Sequence, residues 1–216
     1  MIKAVFFDLD GVLIDSETAQ YNLVKEAIKD KNLSVPAEAY IMMIGAHKSQ
    51  DIWKKIFEKY NPKETKEELR EAFFGKNRDV FLNMNKKLIM FSDVPSALES
   101  LKKMGISLAC ASSSNIDYIN KALTDCKIKE YFDLIVTSDD FKKAKPDPDI
   151  YLHCMEALNV SKEECLVVED SAIGIAAAKA AGIKVFARVN PQIKLDQSKA
   201  DEWISSLDEL LGKMEG

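Results

Sequence analysis

The sequence predicts an α/β fold in which a parallel sheet is built from alternating strands and helices. Apolar runs of strand length recur along the chain without polar alternation, which is typical of strands buried on both faces. From about residue 88 onward helical patterns separate these runs, as in a parallel sheet with right-handed crossovers. Residues 15–87 break the pattern, because they carry helical spacing and no strand pattern, and they read as an insertion.

The elements of the predicted sheet follow one another in regular order. The predicted strands are Ile2–Phe7, Ile106–Ala111, Leu134–Val136, Cys165–Val168 and Ile183–Ala187. The predicted helices between them include Val94–Met104, Asp149–Leu158 and Ala172–Ala181. One more predicted helix is capped by Asn115 and ends at Leu123. Gly105 and Gly182 stand where helices are expected to end, since glycine readily adopts the left-handed conformation of a helix C-terminus.

The insertion is predicted to form a separate helical domain. Its helical patterns are Thr18–Asp30, Ala37–Ile44, Ser49–Tyr60 and Lys66–Met84. We therefore assign residues 1–14 and 88–216 to a core domain that contains the sheet and residues 15–87 to a helical cap domain. The cap is expected over the carboxyl edge of the sheet, where α/β folds bind ligands.

Composition limits the range of functions. The chain has 216 residues, 47% of them hydrophobic and 30% charged, which is typical of a soluble globular protein. The net charge of −5 argues against a broad nucleic-acid interface. We expect a cytoplasmic protein with no signal peptide and no membrane span. The four cysteines are expected to be buried free thiols, and they are Cys110, Cys126, Cys154 and Cys165.

Two aspartates follow the first predicted strand directly. Asp8 and Asp10 flank Leu9 and precede Gly11. Carboxylates this close repel each other unless a cation or a shared proton relieves them, and a divalent metal would also attract a phosphate. One carboxylate can attack phosphorus, while the other protonates the leaving oxygen and then activates water. The alternative interpretation is an aspartate-rich turn after a strand.

Two later segments have groups that could bind phosphate. Ser112 follows the second strand, and its hydroxyl and nearby backbone amides can donate to phosphate oxygens. Ser113 is the next residue. Lys145 precedes Pro146 in a proline-rich turn and can neutralise a phosphoryl group together with a nucleophilic carboxylate. The alternatives are helix capping by the serines and an ordinary basic run around the lysine.

Two more acids follow the fourth predicted strand. Glu169 and Asp170 are hard oxygen ligands suited to Mg²⁺, and the alternative is that they stabilise a helix N-terminus. The carboxyl ends of parallel strands meet at one edge of a sheet, so we expect all four segments to converge. Together they suit one task, which is to hold a phosphoryl group and a divalent metal over an aspartate nucleophile.

These segments resemble a known family. The whole chain resembles the haloacid dehalogenase-like hydrolases, in particular their phosphatase and β-phosphoglucomutase-like branch. The resemblance rests on Asp8-Leu9-Asp10-Gly11-Val12, Ser112, Lys145-Pro146 and Glu169-Asp170. The resemblance implies a Rossmann-like core with an inserted helical cap, Asp8 as nucleophile and Asp10 as general acid/base. It further implies phosphate binding by Ser112, Ser113 and Lys145. Mg²⁺ would be held by Asp8, the Asp10 carbonyl and Asp170, with Glu169 as a ligand or as a partner of a ligand.

The cap departs from the pattern of the mutases. β-Phosphoglucomutases have a histidine where Gln20 stands and Lys-Gly where Ile44-Gly45 stands, whereas basic residues are retained at Lys48 and Lys76. The candidate substrate residues of the cap are Gln20, Gly45, His47, Lys48 and Lys76.

We therefore expect a Mg²⁺-dependent phosphomonoester hydrolase that acts on a small, sugar-like phosphate. The aspartate at position 10 favours phosphoryl transfer, because dehalogenating members of the superfamily lack it. The alternatives are a phosphosugar mutase of the same fold and a catalytically silent module that binds a phosphorylated metabolite. The expected partner is a small phosphorylated metabolite, not nucleic acid or a membrane. A monomer is expected because the cap would already cover the site.

Overall fold

A computed structural model describes residues 1–44 and 51–214 of the chain and confirms the predicted α/β fold. Its sheet has six strands, which pair in parallel in the order β3-β2-β1-β4-β5-β6. The strands are β1 (Ala4–Phe7), β2 (Ser107–Ser112), β3 (Leu134–Thr137), β4 (Cys165–Glu169), β5 (Lys184–Arg188) and β6 (Glu202–Ile204).

The strand β1 lies at the centre of the sheet and aligns the ends of its neighbours. Phe7 pairs with Cys110 of β2 on one side and with Val168 of β4 on the other. The Asp8 amide then donates to the Val168 carbonyl over 3.0 Å. Residues that follow β1, β2 and β4 therefore emerge side by side at one edge of the sheet.

Some helices connect the strands of the sheet, and others form the inserted segment that follows β1. In the described part of the chain they are α1 (Ser16–Asp30), α2 (Glu38–Ile41), α3 (Asp51–Tyr60), α4 (Lys66–Phe74), α5 (Lys76–Asn83), α6 (Val94–Lys103), α7 (Ile116–Asp125), α8 (Asp149–Leu158), α9 (Ala172–Ala180) and α10 (Leu207–Met214). Gly105 and Gly182 follow α6 and α9 with φ of 75°, which confirms them as the expected helix ends. Asn115 caps α7 through a bond from the Tyr118 amide.

The chain divides into two compact units. One comprises Met1–Asp15, Asn85–Pro191 and Leu195–Gly216, and the other comprises Ser16–Met84 with Gln192–Lys194. The first contains the sheet, where Phe6 and Val167 belong to one buried cluster with Ile150 of α8 and Ile175 of α9. The second has an aromatic core in which the Tyr40 and Phe73 rings meet edge to face at 5.9 Å. The assignment of residues 15–87 as a cap domain stays a prediction.

The prediction of one helix over Lys66–Met84 is wrong, because α4 ends at Phe74 and α5 begins at Lys76. The break falls at Gly75, whose ψ of −122° lies outside the helical range. A β-carbon at this position would overlap the Glu71 side chain and backbone, so a larger residue would not fit. Thr65 and Glu68 form a capping box that fixes the start of α4.

Neither the strand β6 nor the helix α10, which follow β5, is predicted from the sequence. The strand β6 has only three residues, and Trp203 within it is 49% exposed. Such a short edge strand carries too few buried positions to give a periodic signal.

The structure confirms that all four cysteines are free and buried. In residues 1–44 and 51–214, no helix is both long and apolar enough to cross a bilayer.

Candidate active site

A buried lysine stands at the centre of the carboxyl edge of the sheet. Lys145 comes from the loop before α8, and its peptide bond to Pro146 is cis. Its ammonium group donates to Asp8 Oδ1 over 2.7 Å, to Glu169 Oε1 over 2.7 Å and to the Ala111 carbonyl over 2.8 Å. These bonds use all three ammonium hydrogens, so the lysine ties the ends of β1, β2 and β4 together.

The charge of this lysine is secured by its partners. Only 2% of the Lys145 side chain is exposed, and burial by itself would lower its pKa. The negative charges of Asp8 and Glu169 outweigh burial and raise the pKa of Lys145 well above its ordinary value. The site therefore holds a permanent cation next to the Asp8 carboxylate.

The Glu169 carboxylate is surrounded by hydrogen-bond donors. Besides Lys145, the Tyr151 hydroxyl donates to Oε1 over 2.9 Å. Its Oε2 accepts from the Asp170 amide over 3.1 Å, and from the Ser171 hydroxyl over 3.1 Å and amide over 3.3 Å. Five donors therefore fix both oxygens, and this carboxylate anchors Lys145. Ser171 also caps α9 by accepting from the Gly174 amide, so the same turn starts the helix.

Gly174 makes room for this anchored carboxylate, because a β-carbon there would overlap Glu169. We expect Gly174→Ala to lower the free energy of unfolding by about 1–3 kcal/mol, the usual cost of overpacking, although alanine favours helix. Urea unfolding measures this, and Gly212→Ala in α10 is the matched control. A β-carbon at Gly212 meets no atom within 4 Å, so this control should gain up to about 1 kcal/mol. Equal stabilisation by both changes would contradict the steric interpretation.

Three carboxylates form a group that can hold a metal ion. One oxygen each from Asp8, Glu169 and Asp170 lie within 4.8 Å of one another, and all three residues are buried. Burial raises the pKa of Asp8 to about 7, Lys145 opposes this, and the charges of Glu169 and Asp10 add to it. One lysine therefore does not balance the buried negative charge, and the donor set fits a hard divalent cation such as Mg²⁺.

The backbone at Gly11 completes this group. Gly11 has φ of 75°, a conformation that residues with side chains rarely adopt. A β-carbon at this position would overlap the Asp170 carboxylate, so the chain passes directly against that side chain. A glycine is therefore required after Asp10 for both conformation and space.

The Asp10 side chain lies in a separate set of contacts. Its Oδ2 accepts from the Ser114 hydroxyl and its Oδ1 from the Tyr118 hydroxyl, each over 2.9 Å. The carboxylate is not a member of the group formed by Asp8, Glu169 and Asp170. The two sequence-predicted aspartates thus have different surroundings, one beside a lysine and the other between two hydroxyls.

The predicted phosphate-binding serines differ in their exposure. Ser112 ends β2 and is buried, and its hydroxyl accepts from the Ser114 amide over 3.1 Å. Ser113 is exposed, and its hydroxyl lies 3.4 Å from that of Ser138. Ser112 therefore lies at the sheet edge from which Asp8 and Glu169 emerge, whereas Ser113 faces the end of β3.

Two of the candidate substrate residues of the insertion, Gln20 and Lys76, belong to the helical unit. Gln20 lies half-buried on α1, and Lys76 is the exposed first residue of α5. Gly45, His47 and Lys48 lie outside the described residues.

Three site residues were not found from the sequence as partners of the carboxylates. They are Ser114, Tyr118 and Tyr151. Ser114 stands just before a predicted helix, where a serine is typical of a cap, while both tyrosines fit the apolar face of a helix. A buried tyrosine hydroxyl requires a hydrogen-bond partner, which is the one signal that pointed beyond packing. Which carboxylate each hydroxyl would meet depends on how α7 and α8 are placed against the sheet.

The chain is similar to known proteins over most of its length. Residues 5–188 match the family described as haloacid dehalogenase-like hydrolase. The phosphorylated carbohydrates phosphatase of Thermotoga maritima is 31% identical over 183 residues, which are 85% of this chain and 83% of that protein. The β-phosphoglucomutase of Bacillus subtilis is 32% identical over 187 residues, which are 84% of this chain and 81% of that protein.

A solved structure shares the fold over nearly the full length. A hydrolase of the same family from Deinococcus radiodurans, crystallised with bound phosphate and sodium, superposes with a TM-score of 0.82. The alignment covers 99% of this chain and 95% of that one at 21% sequence identity, so the likeness concerns the fold.

Proposed function

The chain belongs to the haloacid dehalogenase-like hydrolases and is a phosphoric monoester hydrolase, and from this premise we propose a Mg²⁺-dependent phosphatase that forms an aspartyl phosphate. The observation that carries the proposal is the position of Lys145, whose ammonium group binds Asp8 and Glu169 at 2.7 Å each. These two acids and Asp170 form the buried group that can hold a metal ion. A nucleophilic carboxylate needs a neighbouring cation to approach an anionic phosphoryl group, and Lys145 provides it.

Asp8, Asp10 and Ser112 have different roles in the proposed reaction. Asp8 attacks phosphorus, and the bond between phosphorus and the leaving oxygen breaks while Asp10 gives a proton to that oxygen. Asp10 then takes a proton from water, which attacks the acyl phosphate and releases Asp8 and inorganic phosphate. Ser112 and the amides that follow β2 donate to the phosphoryl oxygens.

Asp8 and Asp170, with the Asp10 carbonyl, would hold Mg²⁺. The ion would neutralise charge on the phosphoryl group and on the buried carboxylates. Glu169, whose two oxygens already accept five hydrogen bonds, would orient Lys145 and the turn that carries Asp170. In this division Asp8 and Asp170 would bind the ion, and Glu169 would position the groups around them.

Metal dependence can be measured in two ways. We expect EDTA to abolish turnover of p-nitrophenyl phosphate and MgCl₂ to restore it. Mg²⁺ should also raise the melting temperature of the wild type, because a ligand that binds only the folded state stabilises it. Asp170→Asn should lose most of this thermal shift, whereas the exposed control Asp208→Asn should keep it. Full activity in EDTA, or an undiminished shift in Asp170→Asn, would contradict the metal assignment.

We propose a small phosphorylated sugar as the substrate. The phosphatase from Thermotoga maritima, by its name, acts on phosphorylated carbohydrates, and it matches this chain over 183 residues. A screen of phosphorylated metabolites with Mg²⁺ and a phosphate-release readout tests this. Release from sugar phosphates in preference to other phosphomonoesters is the expected result, and a preference for a non-sugar ester would contradict it.

A phosphosugar mutase is the second candidate, favoured by the likeness to the β-phosphoglucomutase of Bacillus subtilis. Gln20 in place of the mutase histidine speaks for the phosphatase. The two functions separate when β-glucose 1-phosphate is supplied with a catalytic amount of the glucose bisphosphate. The phosphatase releases free phosphate, whereas glucose 6-phosphate without free phosphate would identify a mutase. No turnover of either this ester or the metabolite panel would favour a binding module.

A further inference from the structure

The Asp10 carboxylate is held at both oxygens by hydroxyl groups of one short segment. Ser114 Oγ and Tyr118 OH each donate to it over 2.9 Å, one to each oxygen. A carboxylate bonded on both oxygens cannot rotate about its terminal torsion without losing a bond. The plane of the Asp10 carboxylate is therefore set by the start of α7.

Ser114 is itself fixed from two sides. Its amide donates to the Ser112 hydroxyl over 3.1 Å, and its carbonyl accepts from the Thr137 hydroxyl over 2.7 Å. Ser112 and Thr137 are the last residues of β2 and β3. The hydroxyl that meets Asp10 is thus attached to the rigid edge of the sheet and not to a free loop.

Tyr118 is also fixed by its surroundings. Its ring is buried, and Lys86 Nζ lies 5.3 Å from the ring centroid, a distance at which an ammonium attracts an aromatic face. Burial and the charge of Lys121 lower the pKa of Lys86 to about 8, while Asp10 and Asp125 oppose this shift. The Lys86 amide donates to Asp125 Oδ2 over 3.1 Å, which ties the lysine to the end of α7.

We propose that Ser114 and Tyr118 are positioning residues that hold the Asp10 carboxyl group in the orientation needed for proton transfer. This inference rests on the proposed function. A hydroxyl can donate to a carboxylate and, after rotation, accept from a carboxylic acid. The pair can therefore hold Asp10 before and after it gives its proton to the leaving oxygen. Proton transfer depends steeply on alignment, so a loosened carboxyl group slows the step that needs the acid.

Two aryl esters of similar shape test this inference. Phenol has a pKa of about 10, as does the tyrosine side chain, so phenyl phosphate needs a proton on its leaving oxygen. The nitrophenolate released from p-nitrophenyl phosphate is a far weaker base and needs it less. We expect Tyr118→Phe to lower kcat/KM for phenyl phosphate about 10-fold, and that for p-nitrophenyl phosphate by less than about 3-fold. Ser114→Ala should show the same inequality.

The outcomes are distinct. Tyr131→Phe is the matched control, since this half-buried tyrosine lies in a 3₁₀ turn after α7, and it should leave both rates unchanged. A merely structural role would lower both rates by one factor, so equal losses, or no loss in either variant, would overturn the inference. Wild-type rates in Asp8→Asn would instead defeat the proposed function. If Asp8→Asn is inactive while Tyr118→Phe keeps the wild-type ratio, only the positioning role fails.

Discussion

Asp8→Asn is expected to reduce phosphatase turnover to below about 10⁻⁴ of the wild-type rate, the scale seen when a nucleophile is removed. A neutral amide is a poor nucleophile toward phosphorus and cannot form the acyl phosphate. The fold should survive, because an amide oxygen can still accept the bond that Lys145 Nζ donates to Asp8 Oδ1 over 2.7 Å. Steady-state hydrolysis of p-nitrophenyl phosphate with Mg²⁺ measures the effect.

Asp208→Asn controls for the chemical change itself, since Asp208 is exposed on α10. It should keep the wild-type rate. A rate for Asp8→Asn within a few-fold of wild type would show that another group attacks phosphorus. The aspartyl-phosphate mechanism would then be wrong, whatever the metal requirement proves to be.

Without metal, the stability of Asp8→Asn relative to the wild type should increase as the pH rises. Burial raises the pKa of Asp8 from its ordinary 3.8 to about 7, so between these values the folded protein keeps a proton that the unfolded chain has lost. The contribution of Asp8 to stability therefore falls as the pH rises toward 7. In EDTA, the melting temperature of Asp8→Asn relative to wild type should rise between pH 5 and 8. A constant difference over this range would contradict the raised pKa.

Lys145→Met is expected to abolish turnover and to lower the free energy of unfolding by about 3–5 kcal/mol, the usual cost of removing one partner of a buried ion pair. The change leaves Asp8 and Glu169 buried without the cation that binds both at 2.7 Å. The pKa of Asp8, which burial already raises, would then lose the opposing effect of Lys145, so the folded protein would keep this proton to a higher pH than the unfolded chain. The variant should therefore lose further stability as the pH rises from about 5 to 8. Urea unfolding at several pH values measures both effects.

The matched control is Lys142→Met, an exposed lysine of the same loop, which should change neither stability nor rate appreciably. Lys145→Arg is a second test of geometry. A planar guanidinium cannot direct donors to three acceptors around one nitrogen, so this change should not restore the wild-type rate. Equal effects at positions 142 and 145 would support the interpretation of an ordinary basic run.

Most of the fold could be predicted because its signal is local. Five strands are continuous apolar runs, and the central strand β1 is fully buried along its length. The prediction fails where tertiary context decides the outcome. The strand β6 is short and half-exposed, and the break between α4 and α5 depends on the space around Gly75. Helical spacing across Lys66–Met84 does not reveal that break, although Gly75 is a residue that weakens a helix interior.

The candidate site was predictable to the extent that strand ends reveal it. Asp8, Ser112, Glu169 and Asp170 follow buried strands, and a parallel sheet brings such ends to one edge. Lys145 lacks this signal, and its role was suggested by its proline neighbour and the family resemblance. The hydroxyls of Tyr118 and Tyr151 could not be assigned, because which carboxylate they meet follows from helix packing. The chemical roles of all these residues stay predictions until the variants are measured.

The strand order of the sheet also bears on how the enzyme matures during synthesis. Asp8 directly follows β1, and β1 pairs with β4, whose residues Cys165–Glu169 are translated much later. Until that segment has left the ribosome, Asp8 lacks its neighbour on one side and Lys145 lacks Glu169. The growing polypeptide therefore cannot assemble the contacts among Asp8, Lys145 and Glu169 until β4 has been synthesised.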